Sequence, residues 1–249
     1  MHYLALATDY DGTIAEDGVV DEPTLAALER LRGGARHLIL VTGRELTDLR
    51  RAMPRLDLFD LVVAENGAML YDPANGAEQA LGGAPPPAFV ERLRELAVVP
   101  LWLGRVIVAT QEQNKAKVLR AIHELGLNLR ITCNKGAVMV LPAGVTKASG
   151  LRGALARLGL SPRNCIGVGD AENDLAFLDV CGLFVAVANA LPAVRQRADF
   201  VTTGTRGAGV AELIDRLLAT DFAEFAAAGA RELVALVAND DHVALAEVP

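Results

Sequence analysis

The chain of 249 residues is long enough for one large domain or two modest ones, and an apolar fraction of 52% provides for a packed core. Its formal charge of -7, without a basic cluster, argues against nucleic acid as a main partner. A small anionic substrate stays compatible with this charge if a metal ion or a few cationic side chains are placed locally.

The first part of the chain alternates strand and helix signals. Apolar runs predict strands at residues 4–7, 37–41 and 61–64, and helical spacing predicts helices at 23–31 and 45–53. The alternation returns after residue 147, with predicted strands at 165–168, 183–187 and 200–201 and helices at 148–158, 174–180, 192–198 and 210–218. This pattern is typical of an α/β fold, a Rossmann-like, doubly wound parallel sheet covered by helices on both faces.

A different pattern separates the two halves. Asn75-Gly76, Gly82-Gly83 and the prolines at 85–87 are typical of a linker. Beyond it we predict helices at 88–97 and 112–125 and strands at 105–110, 129–133 and 137–141, with a hairpin turn at 134–136. The sequence therefore predicts a core at residues 1–71 and 147–220, a small inserted α/β unit at 72–146, and a C-terminal extension at 221–249 to which we assign no role.

The cysteines and the N-terminus indicate the compartment. Cys133, Cys165 and Cys181 are widely spaced and include no metal-type pair, which fits unpaired thiols in a reducing environment. The N-terminus lacks a signal-peptide pattern, and the longest apolar run is interrupted by Asn189 and Pro192. We expect a cytoplasmic protein without membrane association.

Two carboxylates follow the first predicted strand. Asp9 and Asp11 lie one residue apart, so the alternation of a strand places them on the same side. Carboxylates this close repel each other unless a proton or cation lies between them, and hard oxygen ligands suit Mg²⁺. An ordinary acidic turn around Gly12 is the competing interpretation.

Two further loops carry groups suited to phosphate. Thr42 and Gly43 follow a strand and precede a helix, where a hydroxyl and backbone N–H groups could contact a phosphate oxygen; a routine helix N-cap is the alternative. Lys147 opens a helix, a position that normally disfavours a cation. It could offset phosphate charge as a transition state forms, or it could be a solvated surface lysine.

The last polar loop, residues 167–174, follows a buried strand. Asp170 ends that strand and could reach a metal, while Asn173 and Asp174 lie at the start of a helix. A capping cluster is the alternative. Because ligands of open parallel sheets bind beyond the carboxyl ends of the strands, we expect all four loops to converge.

Taken in order, DYDGT at 9–13, VTGR at 41–44, Lys147 and GDAEND at 169–174 resemble the motifs of the haloacid dehalogenase-like (HAD) superfamily of phosphohydrolases. The resemblance spans residues 3 to about 218. The insert is similar to the type II cap of the Cof-like subgroup, subfamily IIB, and its short length is similar to the cap of phosphoglycolate phosphatases.

The resemblance implies a role for each motif residue. It implies Asp9 as the nucleophile that forms an aspartyl-phosphate and Asp11 as the general acid and then the base. The expected phosphate-binding residues are Thr42, Gly43, Lys147 and Asn173. The expected Mg²⁺ ligands are Asp9, Asp11 through its backbone carbonyl, and Asp170. Asp174 is expected either to bind the ion directly or to contact the residues that bind it.

The expected function is a Mg²⁺-dependent phosphatase of a small phosphorylated metabolite, such as a sugar phosphate or phosphoglycolate. One alternative is a phosphotransferase or mutase resembling phosphomannomutase, and another is a regulatory phosphate-binding domain of a larger protein. An acid at position 11 favours phosphate-ester chemistry, because the dehalogenases of the superfamily lack it.

Several other residues are weaker candidates. We expect Arg44 to pair with Glu45 or Asp48 at the surface, ahead of a role in substrate contact. Glu65 and Asn66 could line the substrate side or form an ordinary turn. The remaining candidates lie in the insert and could contact the leaving group: Trp102, Arg105, Asn134 and Lys135. For Trp102, a place in the core of the insert is expected ahead of that role.

Overall fold

The computed structural model describes residues 2–134, 136–223 and 225. Its strands are β1 Ala5–Thr8, β2 His37–Val41, β3 Leu61–Ala64, β4 Met69–Asp72, β5 Ala77–Ala80, β6 Trp102–Leu103, β7 Val108–Gln111, β8 Leu129–Asn134, β9 Ala137–Pro142, β10 Cys165–Gly169, β11 Leu183–Ala186 and β12 Phe200–Val201. Its α-helices are α1 Glu22–Arg32, α2 Leu46–Ala52, α3 Pro87–Glu95, α4 Lys115–Glu124, α5 Lys147–Arg157, α6 Leu175–Leu178, α7 Pro192–Arg197 and α8 Arg206–Thr220.

The main sheet contains eight strands in the order β12-β11-β10-β1-β2-β3-β4-β5. The first six of these are parallel, and β4 and β5 are added antiparallel at one edge. The central strands are buried along almost their whole length, as expected for a parallel sheet that helices cover. This confirms the predicted α/β class.

The β4–β5 hairpin was not predicted from the sequence. Asn75-Gly76, interpreted above as linker, lies in the turn between these two strands, and Gly76 has a φ of +73° that suits a glycine. The predicted boundary between residues 71 and 72 therefore falls inside the main sheet. The polar, exposed sequence of β5 lacks the apolar signal by which strands are recognised.

The insert forms its own four-stranded antiparallel sheet, β6-β7-β9-β8, and residues 87–142 are called the cap below. On β9, Val140 packs with residues of α3 and α4, whereas Met139 and Leu141 belong to the apolar cluster of the main sheet. This alternation follows from the two-residue period of a strand. One face of the cap sheet therefore carries the cap helices, and the other faces the main sheet.

The helix ends contain local capping signals. Asp21 precedes α1 and its carboxylate accepts a hydrogen bond from the N–H of Thr24, and Thr146 forms a capping box with Ser149 at the start of α5. Phe222, two residues after the end of α8, is buried. The extension predicted from residue 221 lies outside the described residues beyond position 225. No helix among the described residues is long and apolar enough to cross a membrane.

Candidate active site

The carboxyl ends of β1 and β10 bring two aspartates together. Asp9 follows β1 and Asp170 follows β10, and these strands are neighbours in parallel register. Each residue is only 5% exposed. The Thr13 hydroxyl lies 3.1 Å from Asp9 Oδ2 and 3.5 Å from Asp170 Oδ1, so one side chain contacts both carboxylates. Thr13, the last residue of the DYDGT motif, was not among the predicted site residues.

Lys147 is buried between two carboxylates. Its Nζ atom lies 2.6 Å from Asp9 Oδ1 and 2.6 Å from Asp174 Oδ1, and its side chain is 1% exposed. The alternative of a surface lysine is therefore wrong. A cation is stable at this helix start because these two carboxylates compensate the charge that burial and the helix dipole both disfavour.

Asp174 is held on both of its oxygens. Oδ1 contacts Lys147, and Oδ2 accepts hydrogen bonds from the backbone N–H groups of Asp170 at 3.1 Å and Ala171 at 2.9 Å. Carboxylate oxygens of Asp9, Asp170 and Asp174 lie within 4.8 Å of one another, and all three residues are buried. This cluster could hold a metal ion.

Burial and charge shift the pKa values of this cluster. The pKa of Asp9 is raised to about 7, because burial disfavours its charged form and Asp174 repels it, while Lys147 acts in the opposite direction. For Lys147, burial favours the neutral form, but the attraction of Asp174 and Asp9 is stronger and raises its pKa. The ammonium therefore stays charged.

Asp11 lies beside this cluster but points towards a different partner. Arg44 Nε lies 2.7 Å from Asp11 Oδ2 and Arg44 Nη2 lies 2.7 Å from Asp11 Oδ1, a bidentate ion pair. Arg44 also contacts Asp48 at 2.9 Å, as predicted. The stronger contact with Asp11, 33 positions earlier, has no local signature in the sequence.

The remaining predicted phosphate ligands differ in exposure. Thr42 is fully buried and its Oγ1 accepts the N–H of Arg44 at 3.1 Å, while Glu45 is the N-cap of α2. Thr42 is therefore not the helix cap considered above. Gly43 and Asn173 face a cavity, and the buried Oδ1 of Asn173 has no hydrogen-bond partner among the described residues.

That cavity, of about 760 Å³, lies between the main sheet and the cap. Its main-sheet side includes Asp9, Asp11, Gly43, Arg44, Glu45, Asp48, Arg51, Lys147 and Asn173, and its cap side consists of Trp102, Leu103, Gly104, Ile107, Ala109, Ala137 and Met139. Asp170, Asp174 and Thr42 do not line it. The structure thus brings the predicted residues of all four loops to one place.

For two of the weaker candidates the structure decides between the alternatives. Trp102 is 53% exposed and lines the cavity; it lies on a two-residue edge strand and not in the cap core. Glu65 is fully buried and does not line the cavity, because its carboxylate accepts backbone N–H groups of the cap. Arg105 pairs with Glu78 of β5. The side chain of Asn134 and the whole of Lys135 lie outside what the structure describes.

A buried lysine–aspartate cluster at the strand ends of a parallel sheet, beside a cavity under a cap, is an arrangement typical of α/β enzymes that bind an anionic substrate. The family model for haloacid dehalogenase-like hydrolases matches residues 6–80 and 103–214. The chain therefore belongs to the haloacid dehalogenase-like hydrolase family.

Individual relatives are similar along almost their whole length. A phosphoglycolate phosphatase of Methanothermobacter thermautotrophicus is 30% identical over 229 residues, which cover 86% of this chain and 98% of the relative. A phosphoglycolate phosphatase of Saccharolobus solfataricus is also 30% identical, with 88% and 94% covered. A solved sugar phosphatase of HAD subclass IIB shares the fold with a TM-score of 0.71 at 18% identity, covering 86% of this chain and 98% of that one. The two curated relatives support a phosphatase.

Proposed function

We propose that the protein is a Mg²⁺-dependent phosphatase that hydrolyses a small phosphorylated metabolite through an aspartyl-phosphate at Asp9. The observation that carries this proposal is the position of Asp9. Its carboxylate faces the cavity and is held by Lys147 at 2.6 Å and Thr13 at 3.1 Å. A nucleophile fixed in this way meets the main requirement of covalent catalysis, which divides a difficult cleavage into two easier steps.

The donor set fits a hard divalent cation. Asp9 and Asp170 offer carboxylate oxygens, the ligands that Mg²⁺ prefers, and the Asp11 carbonyl is a further candidate. Asp174 already uses both of its oxygens on Lys147 and on backbone N–H groups, so we assign it to orienting Lys147 and the Asp170 loop. When bound, Mg²⁺ would neutralise charge on the phosphoryl oxygens and favour the ionised form of Asp9.

The protein's own residues perform the remaining steps. An oxygen of Asp9 attacks phosphorus as the bond to the leaving oxygen breaks, and the protonated form of Asp11 donates its proton to that oxygen. Asp11 then takes a proton from a water molecule that attacks the phosphoryl group. The bond between phosphorus and Asp9 breaks, which releases phosphate and regenerates the Asp9 carboxylate. Because Arg44 holds both oxygens of Asp11, this role requires Asp11 to give up part of that ion pair. Lys147, Asn173 and Gly43 are placed along the cavity to contact the phosphoryl oxygens.

The volume and the lining of the cavity favour a particular kind of substrate. Its volume suits a small metabolite, and its cap side is almost entirely apolar. Arg51 lines the opposite side, is exposed, and forms no ion pair within the part of the chain that the structure describes. A cation here would favour a substrate with a second anionic group, and phosphoglycolate carries a carboxylate. The curated relatives support phosphoglycolate, whereas a sugar phosphate is supported only by a structural neighbour of shared fold.

A phosphotransferase or mutase would use the same aspartyl-phosphate, and product analysis with a sugar bisphosphate activator separates it from a phosphatase. A regulatory phosphate-binding domain would show no turnover. No contact among the described residues favours either alternative. The expected cytoplasmic location stays a prediction.

The test is a screen of phosphorylated metabolites for released phosphate, with Mg²⁺ and with a chelator. We expect metal-dependent release from phosphoglycolate or a sugar phosphate by the wild type and none by Asp9→Asn. Equal release by Asp9→Asn would contradict the proposal, and so would failure of the wild type on every substrate.

A further inference from the structure

Glu65 forms a buried contact between the main sheet and the cap. Its Oε1 atom accepts the N–H of Arg105 at 2.9 Å, and Oε2 accepts those of Val106 at 2.8 Å and Ile107 at 2.9 Å. The residue is 0% exposed. A buried carboxylate is costly unless its oxygens are hydrogen-bonded, and these three backbone donors supply that compensation. The interaction thus holds one particular segment of the cap.

The backbone around Glu65 has an uncommon conformation. Glu65, Asn66 and Gly67 have φ values of +50°, +56° and +104°, a region that residues other than glycine rarely adopt. Two backbone hydrogen bonds to the loop after β2 stabilise the turn. The N–H of Glu65 donates to Arg44 O at 2.9 Å, and the N–H of Asn66 donates to Thr42 O at 3.0 Å. Surrounding contacts therefore determine the direction in which the Glu65 side chain points.

The same turn packs against the start of α5. A Cβ atom at Gly67 would lie 1.9 Å from the carbonyl oxygen of Thr146, the residue before Lys147. Only a glycine allows this approach. The turn of residues 65–67 thus contacts three parts of the site: the loop of Thr42 and Arg44, the helix that carries Lys147, and, through Glu65, the cap.

The cap segment held by Glu65 also lines the cavity. Gly104 and Ile107 face the cavity, and the segment directly follows Trp102-Leu103. A Cβ atom at Gly104 would lie 2.8 Å from the Glu65 carboxylate, so the Glu65 side chain approaches the Gly104 backbone as closely as a glycine permits. The guanidinium of Arg105 adds a second link to the main sheet through Glu78.

We propose that Glu65 is a positioning residue that fixes the cap over the phosphate site and thereby determines how the leaving group is held. This inference deepens the proposed function and rests on it for its kinetic readout. Glu65 touches no reacting atom, so its removal is expected to act through the position of residues 102–107. The phosphate site itself, built from residues of the main sheet, keeps its geometry.

The test compares Glu65→Gln with Glu91→Gln, an exposed position on the cap. Glutamine keeps the size of glutamate but directs an NH₂ group towards backbone N–H donors, so at least one hydrogen bond is lost. Because misplacement by about 1 Å can cost on the order of 100-fold in rate, we expect kcat/KM to fall by about 10- to 100-fold. The inhibition constant of inorganic phosphate with Mg²⁺ is expected to stay at the wild-type value.

Trp102, the only tryptophan of the chain, gives a readout that needs no turnover. Displacement of the cap is expected to shift its emission to longer wavelength and to increase its quenching by acrylamide in Glu65→Gln, with no change in Glu91→Gln. Gly104→Ala is the second variant, because its methyl group disturbs the same contact from the cap side while Glu65 is intact. It should reproduce both effects if Glu65→Gln fails to fold.

Wild-type kcat/KM and wild-type Trp102 fluorescence in a folded Glu65→Gln or Gly104→Ala variant would overturn the proposal. Parallel loss of phosphate affinity would also overturn it, because that result indicates general damage to the site. If the wild-type protein hydrolyses no phosphate ester, the proposed function fails, and the fluorescence comparison still decides the role of Glu65.

Discussion

Replacing Lys147 by methionine removes the only cation within ion-pair distance of Asp9 and Asp174 in the part of the chain described here. The substitution keeps the length and the apolar stem of the side chain but leaves a cluster of buried carboxylates uncompensated. Both ion pairs are 2.6 Å long. The side chains of Lys147, Asp9 and Asp174 are 1%, 7% and 0% exposed, so solvent screens the two ion pairs little. We therefore expect a large effect on stability as well as on activity.

The magnitude follows from the burial. Breaking a buried ion pair by removing one partner typically costs about 3–5 kcal/mol, and protonation of Asp9 would keep the loss towards the lower value. At about 2–4 °C per kcal/mol for a chain of this size, Tm should fall by roughly 10 °C. Loss of one preorganised donor should lower kcat by about 100- to 1000-fold.

Urea unfolding followed by circular dichroism in a chelator measures this effect, with the exposed Lys115→Met as the matched control. Added Mg²⁺ should restore part of the lost stability, because a cation beside the carboxylates offsets their repulsion. Unfolding of Lys147→Met at the same urea concentration as the control would refute the reasoning, since the Lys147 ammonium would then not stabilise the buried carboxylates of Asp9 and Asp174.

Three further outcomes are expected. Arg51→Gln should raise KM for phosphoglycolate by about 10-fold, as for loss of one charged hydrogen bond, and leave KM for para-nitrophenyl phosphate unchanged. Equal effects on both substrates would show that Arg51 does not contact the carboxylate of phosphoglycolate. Burial raises the pKa of Asp9 from its ordinary value of 3.8 in the unfolded chain to about 7 in the folded protein, so the metal-free protein should lose stability as pH rises between these values. Urea midpoints at pH 5.5 and 7.5 check this, and a flat or rising profile would contradict it. Chelation should abolish phosphate release and Mg²⁺ should restore it; full activity in the chelator would exclude a metal at Asp9 and Asp170.

Much of the fold is visible in the sequence because its signals are local. The buried strands β1, β2, β3, β10 and β11 are short apolar runs, and each is followed by a polar loop. Since parallel strands end at the same edge of a sheet, the juxtaposition of Asp9 and Asp170 could be predicted from the strands that precede them. The burial of Lys147 agrees with its unfavourable place at a helix start.

The features that could not be predicted depend on tertiary contacts. The pairing of Asp11 with Arg44 and the hydrogen bonds of Glu65 to the cap join residues 33 and 40 or more positions apart. Nothing in the neighbouring sequence marks such partners. Trp102, expected in the core of the insert, lies on an edge strand and lines the cavity. The strand β5 carries no apolar pattern, and it pairs with β4 through the backbone, which its own sequence does not reveal.

The most direct test of the central claim is to trap the phosphoryl group on the protein. A radiolabelled phosphoester is mixed with the enzyme and Mg²⁺, the reaction is quenched in acid within one turnover, and borohydride reduction marks the modified aspartate for peptide mass spectrometry. We expect covalent label on Asp9 and none in Asp9→Asn. Label on another residue, or phosphate release from the wild type without any covalent label, would contradict the assignment of Asp9 as the nucleophile.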